Sequence, residues 1–149
     1  MIKLSVVVEI DALPARVLAE LLDVEHWPAW TTTMTEVKLL SKKPLAVGKK
    51  AFVRQPKLRP AMWEVTELNE TSFTWVTRSP GLRIEAGHAV RPVESGSQVE
   101  LSLQYSGLLA PIFGRLYRDL SQRYLGIEGE GLRRRLEGGS RDSEHGASR

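Results

Sequence analysis

The hydrophobic pattern of this chain changes period along its length, and each change marks a different secondary structure. Residues 2–10, IKLSVVVEI, are rich in β-branched side chains and predict a strand. Pro14 suits the first turn of a helix, and an apolar helical stripe follows over residues 17–22. The period is then two from residue 34 to residue 106, and it becomes helical again near residue 110. This order of elements predicts an α+β domain with an antiparallel sheet.

Six strands are predicted in the central region, separated by turn-forming segments such as SKKP, QPKLRP and SPG. Together with residues 2–10 they make a seven-stranded sheet. Pro28 allows a second short helical turn before the first of these strands, and that turn holds Trp27 and Trp30. The predicted central strands cover residues 34–40, 48–55, 61–68, 72–78, 82–91 and 97–106.

The last part of the chain has a helical pattern followed by a polar segment. From Ala110 to Glu137 apolar residues recur every few positions after Pro111, which predicts one long amphipathic helix. Leu120 and Ile127 are expected on the side that faces the sheet. Residues 138–149, GGSRDSEHGASR, have almost no apolar side chain and predict a flexible polar tail. The sequence therefore predicts a single domain over residues 1–137 and a tail over residues 138–149.

Composition excludes several classes of site. The chain has no cysteine, so disulfides, thiolate nucleophiles and cysteine-based metal sites are excluded. The three histidines show no ligand spacing, and neither a metal nor another cofactor is expected. The first residues lack the long apolar region of a signal peptide, and no apolar stretch approaches the ~20 residues of a transmembrane helix. We therefore expect a cytoplasmic protein with no transmembrane segment.

Basic residues are concentrated between residues 37 and 63, although the net charge of the chain is only +3. Lysines in such hairpins often keep sheet edges from aggregating. The alternative is a surface for an anionic protein, RNA or membrane. No nucleic-acid motif accompanies the charge, so a nucleic-acid partner is not expected. The oligomeric state stays open, with a dimer as one alternative. The basic residues are Lys38, Lys42, Lys43, Lys49, Lys50, Arg54, Lys57 and Arg59.

Four stretches of the sequence resemble the START-like (SRPBCC) superfamily, in its polyketide cyclase/dehydrase and lipid-transport branch. They are LLDVEHWPAWTTTMTEVKLL, VGKKAFVRQPKLRPAMWEVTEL, FTWVTRSPG and YLGIEGEGLRRRLE. The resemblance covers nearly all of residues 3–137. It implies the helix-grip fold, in which a curved antiparallel sheet wraps around a long C-terminal helix. It also implies an internal apolar cavity, because members bind lipids, sterols, polyketides or plant hormones, and a minority catalyse cyclisation or dehydration.

Alternation along the strands predicts which side chains point toward the long helix. The inward set is mostly aromatic and aliphatic with a few polar groups, which is the mixture that a pocket for an apolar ligand needs. The candidate ligand-binding residues are Trp27, Trp30, Val53, Gln55, Trp63, Trp75, Ala86, His88, Leu103, Tyr105, Phe113, Tyr117, Leu120 and Tyr124.

The tryptophans of DVEHWPAW have two interpretations. Trp27 and Trp30 either form a lid or entrance wall at the mouth of the grip, or they plug the end of the core.

His88 also has two interpretations, as a hydrogen-bonded core histidine or as a weak candidate for a general base. In the second case Tyr105 or Gln55 would polarise a substrate carbonyl. The glutamates of the strands are expected to face solvent, so a buried carboxylate pair is not predicted.

Three functions remain open on these grounds. The first is binding of a hydrophobic small molecule, such as a lipid, sterol or polyketide-like compound, in an internal cavity. The second is a cyclase/dehydratase-like enzyme acting on a polyketide-type substrate. The third is an interaction module that uses the basic surface of residues 37–63.

Overall fold

A computed structural model describes the backbone of residues 1–147 and the side chains of residues 1–138. The first strand is followed by two short helical segments, six further strands and two C-terminal helices. In chain order the elements are β1 (Ile2–Ile10), α1 (Pro14–Leu22), a 3-10 helix (Val24–Ala29), β2 (Glu36–Leu39), β3 (Lys50–Arg54), β4 (Ala61–Leu68), β5 (Ser72–Ser79), β6 (Leu82–Val93), β7 (Gly96–Ser106), α2 (Ala110–Leu116) and α3 (Arg118–Ala147).

The seven strands form one antiparallel sheet in the order β1-β7-β6-β5-β4-β3-β2. Consecutive strands from β2 to β7 are neighbours, and β1 pairs with β7. The first and last strands of the chain therefore lie side by side, and β1 and β2 are the two edges of the open sheet. This architecture is the predicted helix grip.

Every predicted strand is present, with small changes at the ends. The largest are in β2 and β3, which each lose three predicted residues; β2 is predicted over residues 34–40 and spans Glu36–Leu39. Its pairing with β3 continues as single hydrogen bonds, because the Thr35 and Leu40 amides each donate at 3.0 Å to Arg54 and Lys50 carbonyls.

The prediction of one helix from Ala110 to Glu137 is wrong, because the helix is interrupted at Tyr117, whose φ of −100° and ψ of 6° are not helical. α2 packs its Gly114 against Ile2 of β1, and α3 starts at Arg118. The break sets which positions of α3 face the sheet. The residues that it buries are Ser121, Leu125, Gly129, Gly131, Leu132 and Leu136.

The sequence prediction therefore placed Leu120 and Ile127 wrongly on the side of α3 that faces the sheet. Both are partly exposed, because each lies about one position away from the buried stripe of α3. The stripe repeats at a spacing of three to four residues, as a helix against a sheet requires.

The predicted tail boundary does not coincide with the end of an element, since α3 extends to Ala147. The side chains beyond residue 138, and all of residues 148–149, lie outside the described residues. The flexible tail therefore stays a prediction.

The core fills the space between the concave face of the sheet, α1 and α3. Val17 and Leu21 of α1 and Leu132 of α3 are each at most 1% exposed. α3 approaches the chain closely at Gly131, where a Cβ atom would lie 2.1 Å from the Trp30 carbonyl oxygen. Among the described residues, no helix combines the length and the apolar character needed to cross a membrane.

Candidate ligand cavity

A cavity of about 90 Å³ lies between the concave face of the sheet and α3. Strands β4 to β7 provide its floor, and α3 covers it. The candidate residues that line it are Trp27, Gln55, Trp63, Trp75, Ala86, His88, Leu103, Tyr105 and Tyr124. The alternation of the strands placed the strand residues among them correctly, because every second side chain of each strand faces α3.

The inner wall of the cavity is aromatic. Trp27 is 2% exposed, and its ring lies 5.2 Å from that of Trp75 in an edge-on arrangement. The Trp27 Nε1 donates to the Leu21 carbonyl at 3.0 Å, which fixes the indole at the end of α1. Trp27 is thus a core residue whose ring also bounds the cavity, and its interpretation as a lid at the mouth is wrong.

His88 on β6 is buried within this aromatic wall. Its ring stacks on Phe73, with centroids 4.1 Å apart and planes 9° from parallel. Its Nδ1 lies 3.1 Å from the Phe73 carbonyl oxygen, which can only accept, so Nδ1 carries the proton. Burial lowers the pKa of the imidazole to about 4. At neutral pH His88 is therefore uncharged, and Nε2 is a hydrogen-bond acceptor with no partner among the described residues.

Glu128 of α3 is an acidic lining residue that sequence reasoning missed. Burial raises the pKa of its carboxyl to about 7, although the Thr33 hydroxyl opposes this shift by donating to Oε1 at 2.8 Å. The Thr31 hydroxyl lies 2.9 Å from that of Thr33. Since Thr33 gives its proton to Glu128, it accepts one from Thr31, and the carboxyl is held by a directed chain of hydroxyls. Glu128 is thus half-protonated near neutral pH.

The end of the cavity nearest α2 carries a second hydroxyl pair. The phenol oxygen of Tyr105 on β7 lies 2.7 Å from the Ser121 Oγ of α3. Tyr105 is 4% exposed, and burial raises the pKa of its phenol above the usual value. These two hydroxyls can donate one hydrogen bond to a ligand, because only one of their two protons is needed between them.

The loop between β3 and β4 forms one rim of the cavity. Gln55 and Leu58 of this loop line the cavity and are partly exposed. The Tyr124 hydroxyl of α3 donates to the Pro56 carbonyl and so fastens the loop to the helix. Movement of this loop away from Tyr124 would widen the cavity without disturbing the sheet.

Two aromatic or aliphatic candidates of the central region do not line the cavity. Trp30 packs on α3 at Gly131, and its Nε1 is buried with no hydrogen-bond partner within residues 1–138. Val53 faces inward as predicted, but it is 2% exposed and lies near the β2 edge between Val37 and Ala61, away from the cavity.

Three candidates of the C-terminal region also lie outside the cavity wall, and the break at Tyr117 is the reason. Phe113 and Tyr117 stack on each other with centroids 6.2 Å apart, on the α2 side of the break. Leu120 is rotated out of the inward stripe of α3. Assignment of one uninterrupted helix could not place these side chains.

Several further lining residues could have been found from helix phase. Once Leu125 and Leu132 are taken as inward positions of α3, Ser121 and Glu128 fall on the same face at helical spacing. The other lining residues that sequence reasoning did not select are Met34, Leu58, Ile84, Gly87, Leu101 and Ser102.

The basic side chains of residues 37–63 lie on the β2 edge and in the two adjoining loops, and one of these loops, between β3 and β4, also forms the rim of the cavity. Several of these basic side chains form contacts within the protein. Lys49 donates to the Lys42 and Pro44 carbonyls at 2.7 and 2.6 Å, Lys43 lies 3.6 Å from Asp23, and the Arg54 guanidinium is placed over the Phe52 ring. Within residues 1–138, no cluster of three or more potential metal ligands is present.

Comparison with known proteins agrees with this architecture. A START superfamily protein from Mycobacterium smegmatis is similar with a TM-score of 0.76 at 15% identity, covering 91% of this chain and 97% of that one. A protein from Thermus thermophilus has a TM-score of 0.73 at 17% identity, covering 93% and 99%. A hypothetical protein from Helicobacter pylori has a TM-score of 0.73 at 14% identity, covering 90% and 86%. These likenesses show the fold. No curated protein matches the sequence significantly.

A family model adds the assignment that such distant structures do not give. The model described as "Polyketide cyclase / dehydrase and lipid transport" matches residues 1–138, which is nearly the whole chain. The match includes every element that contributes a side chain to the cavity. The chain therefore belongs to the polyketide cyclase/dehydrase and lipid-transport family.

Proposed function

We propose that the protein binds a small, largely apolar molecule in the cavity between the sheet and α3, in the cytoplasm. The observation that carries this proposal is an enclosed aromatic wall that contains a hydrogen-bond acceptor without a partner among the described residues, the His88 Nε2. Aromatic walls with a few oriented polar groups are typical of ligand sites. A ligand hydroxyl that donates to Nε2 would satisfy this acceptor while its apolar part covers the indole rings.

The size of the cavity limits how binding occurs. An apolar cavity of roughly 150 Å³ takes one benzene molecule, whereas this one measures about 90 Å³. A sterol or fatty acid therefore enters only when the wall moves. The rim loop that Tyr124 fastens is the segment whose displacement would provide that space.

Intrinsic tryptophan fluorescence tests the proposal, because Trp27, Trp63 and Trp75 line the cavity. We expect saturable changes on titration with 2-naphthol, and with cholesterol or oleate if the rim loop opens. Ala86→Phe should abolish the change by filling the cavity. Ala89→Phe is the matched control, because Ala89 lies on the exposed face of the same strand. An unchanged titration in Ala86→Phe, or no saturable change with any probe, would contradict binding in this cavity.

A second candidate function is acid–base catalysis on such a molecule, as in a cyclase or dehydratase. It is favoured by Glu128, because a carboxyl with a pKa of about 7 is suited to take and return a proton near neutral pH. His88 is a poorer base, because its pKa of about 4 leaves it little affinity for a proton. Glu128 would remove a proton next to a substrate carbonyl, and the Tyr105–Ser121 pair would donate to the resulting enolate oxygen.

Deuterium exchange at the α-carbon of 2-tetralone measures this step directly by nuclear magnetic resonance in heavy water. The wild-type protein should accelerate exchange, and Glu128→Gln should lose the acceleration while its fluorescence titration is unchanged. Exchange that is equally fast in Glu128→Gln, or no faster with the wild-type protein than in buffer, would leave the protein as a binding protein only.

A further inference from the structure

The turn before α2 and α2 itself expose a group of large aliphatic side chains, here called the α2 patch (Leu108, Leu109, Ile112 and Leu116). Their exposed fractions are 92%, 36%, 61% and 67%. Leu108, Ile112 and Leu116 are four residues apart, so they form one stripe along the outer side of the helix. Single exposed apolar residues are normal on protein surfaces, but four within nine residues form a contiguous patch, which marks an interaction site.

The α2 patch is held in place by its other side. Gly114 contacts Ile2 of β1, and the Leu109 amide donates to the Gly81 carbonyl at 2.8 Å. Leu108, Ile112 and Leu116 therefore project from a fixed base, whereas the Leu109 side chain lies against Gly81. Leu108 in particular has almost no covering neighbour. A projecting apolar stripe of this kind can enter the interface between lipid head groups and acyl chains.

The charges around the α2 patch are mostly positive. Arg115 and Arg118 are exposed next to the stripe, and neither forms an ion pair with another described residue. Lys3 is exposed on β1 beside Ile2, and Asp119 is the nearby acidic residue. Arg83 of the adjoining hairpin is paired with Glu85 at 3.4 Å. An apolar stripe bordered by arginines that the described residues leave unpaired is complementary to a membrane surface that contains anionic lipids.

From this arrangement we infer that the α2 patch docks the protein on the surface of an anionic lipid bilayer. Leu108, Ile112 and Leu116 would enter the interface between head groups and acyl chains, and Arg115 and Arg118 would contact lipid phosphates. A second copy of the chain is the less suitable occupant, because a symmetric contact through this patch would place arginines against arginines. Docking here would bring the Tyr105–Ser121 end of the cavity toward the bilayer, since Ser121 follows α2 by one turn; this consequence alone rests on the proposed function.

Co-sedimentation with vesicles tests the inference. We expect the wild-type protein to bind phosphatidylcholine/phosphatidylserine vesicles, and to bind pure phosphatidylcholine vesicles more weakly. The triple variant Leu108→Ser/Ile112→Ser/Leu116→Ser should bind at least about tenfold more weakly, because the buried apolar area is lost. Arg115→Gln and Arg118→Gln should each weaken binding to the mixed vesicles about fivefold, and added salt should reduce this difference.

The matched control replaces equally exposed aliphatic residues elsewhere, in Leu13→Ser/Leu40→Ser/Val47→Ser, and should bind vesicles as the wild-type protein does. The variant Ala86→Phe should also bind vesicles, which separates membrane docking from occupation of the cavity. Loss of binding in the control would indicate that the basic region of residues 37–63 docks the protein, and it would overturn the inference. Absence of vesicle binding by the wild-type protein, or a dimer that only the patch variant dissociates, would overturn it as well.

Discussion

Glu128 and His88 line the same cavity, yet folding shifts their proton affinities in opposite senses. Burial raises the pKa of Glu128 from 4.5 to about 7 and lowers that of His88 from 6.5 to about 4. In both cases the uncharged form is the one that the cavity favours. The cavity is therefore nearly neutral midway between about pH 4 and about pH 7, which suits an apolar ligand.

The two shifts affect stability in opposite directions. Between about pH 4 and 6.5 the unfolded chain binds more protons at His88, so this group makes the protein less stable as the pH falls. Between 4.5 and about 7 the folded protein binds more protons at Glu128, so this group makes it less stable as the pH rises. Over the shared window the two slopes largely cancel.

Glu128→Gln should reveal this compensation. The amide oxygen can still accept from Thr33, but the group no longer ionises. At pH 8 the variant should be more stable than the wild-type protein by up to about 3 kcal/mol, and the difference should vanish near pH 4.5. Denaturant unfolding at several pH values measures it. Glu130→Gln is the control, because Glu130 pairs with Arg133 on the surface of the same helix and should change little. A difference that does not depend on pH would contradict the raised pKa of Glu128.

At the scale of single residues, the sequence predicted strand positions better than helix positions. The alternation of β6 was enough to place Ala86 and His88 inward, because side chains two residues apart in a strand point to the same face of the sheet. For Glu128 the corresponding inference needed the start of α3. An error of one residue in a helix turns a side chain by about 100°, which is enough to exchange Leu120 for Ser121.

At the scale of elements, α3 is shaped by its glycines. Gly131 lets the helix lie directly on the Trp30 carbonyl, whereas a Cβ atom at Gly126 would have no neighbouring atom within 4 Å. Glycine lowers helix stability by up to about 1 kcal/mol relative to alanine wherever it is not needed for packing. The two positions therefore differ in what they contribute to the fold.

The same substitution at these two glycines should have opposite effects. Gly126→Ala should raise the free energy of unfolding by about 0.5–1 kcal/mol, because only helix propensity changes. Gly131→Ala should lower it by about 1–3 kcal/mol, because the methyl group forces α3 away from the 3-10 helix. Thermal unfolding of both variants provides the comparison. A stabilised Gly131→Ala protein would show that α3 does not approach Trp30 as closely as described.

At the scale of the whole molecule, the sequence indicated the fold through the order of its elements and its family resemblance, but not the size of the cavity. Seven strands and a final helix leave few arrangements in which every apolar face is buried. The volume between them depends on side chains that meet from distant parts of the chain, such as Trp27 and Trp75. It also depends on the break at Tyr117, which the sequence does not indicate, because no proline or glycine stands at that position. Periodicity determines the direction of a side chain, whereas cavity volume depends on how closely the elements approach.

The first strand and the last helix of the described chain are joined by hydrogen bonds. The Gln122 side chain donates to the Ser5 carbonyl of β1 at 3.2 Å, and Glu137 accepts from the Asp11 amide at 3.0 Å. Leu132 and Leu136 of α3 are 0% and 2% exposed, while a Cβ atom at Gly138 would have no neighbour within 4 Å. We therefore predict that the boundary between the domain and the tail falls near residue 138.

Two truncations test this boundary. Deletion of residues 139–149 keeps the contacts of Leu132, Leu136 and Glu137, so the melting temperature should change by no more than about 2 °C. Deletion of residues 132–149 also removes both leucines. The loss of one buried leucine side chain costs about 2–5 kcal/mol, and two such losses approach the whole stability of a typical domain, about 5–15 kcal/mol. The shorter protein should therefore show no cooperative transition in scanning calorimetry. A large drop in melting temperature after the first deletion would mean that the predicted tail is part of the folded domain, and that the domain does not end at the last contact between α3 and β1.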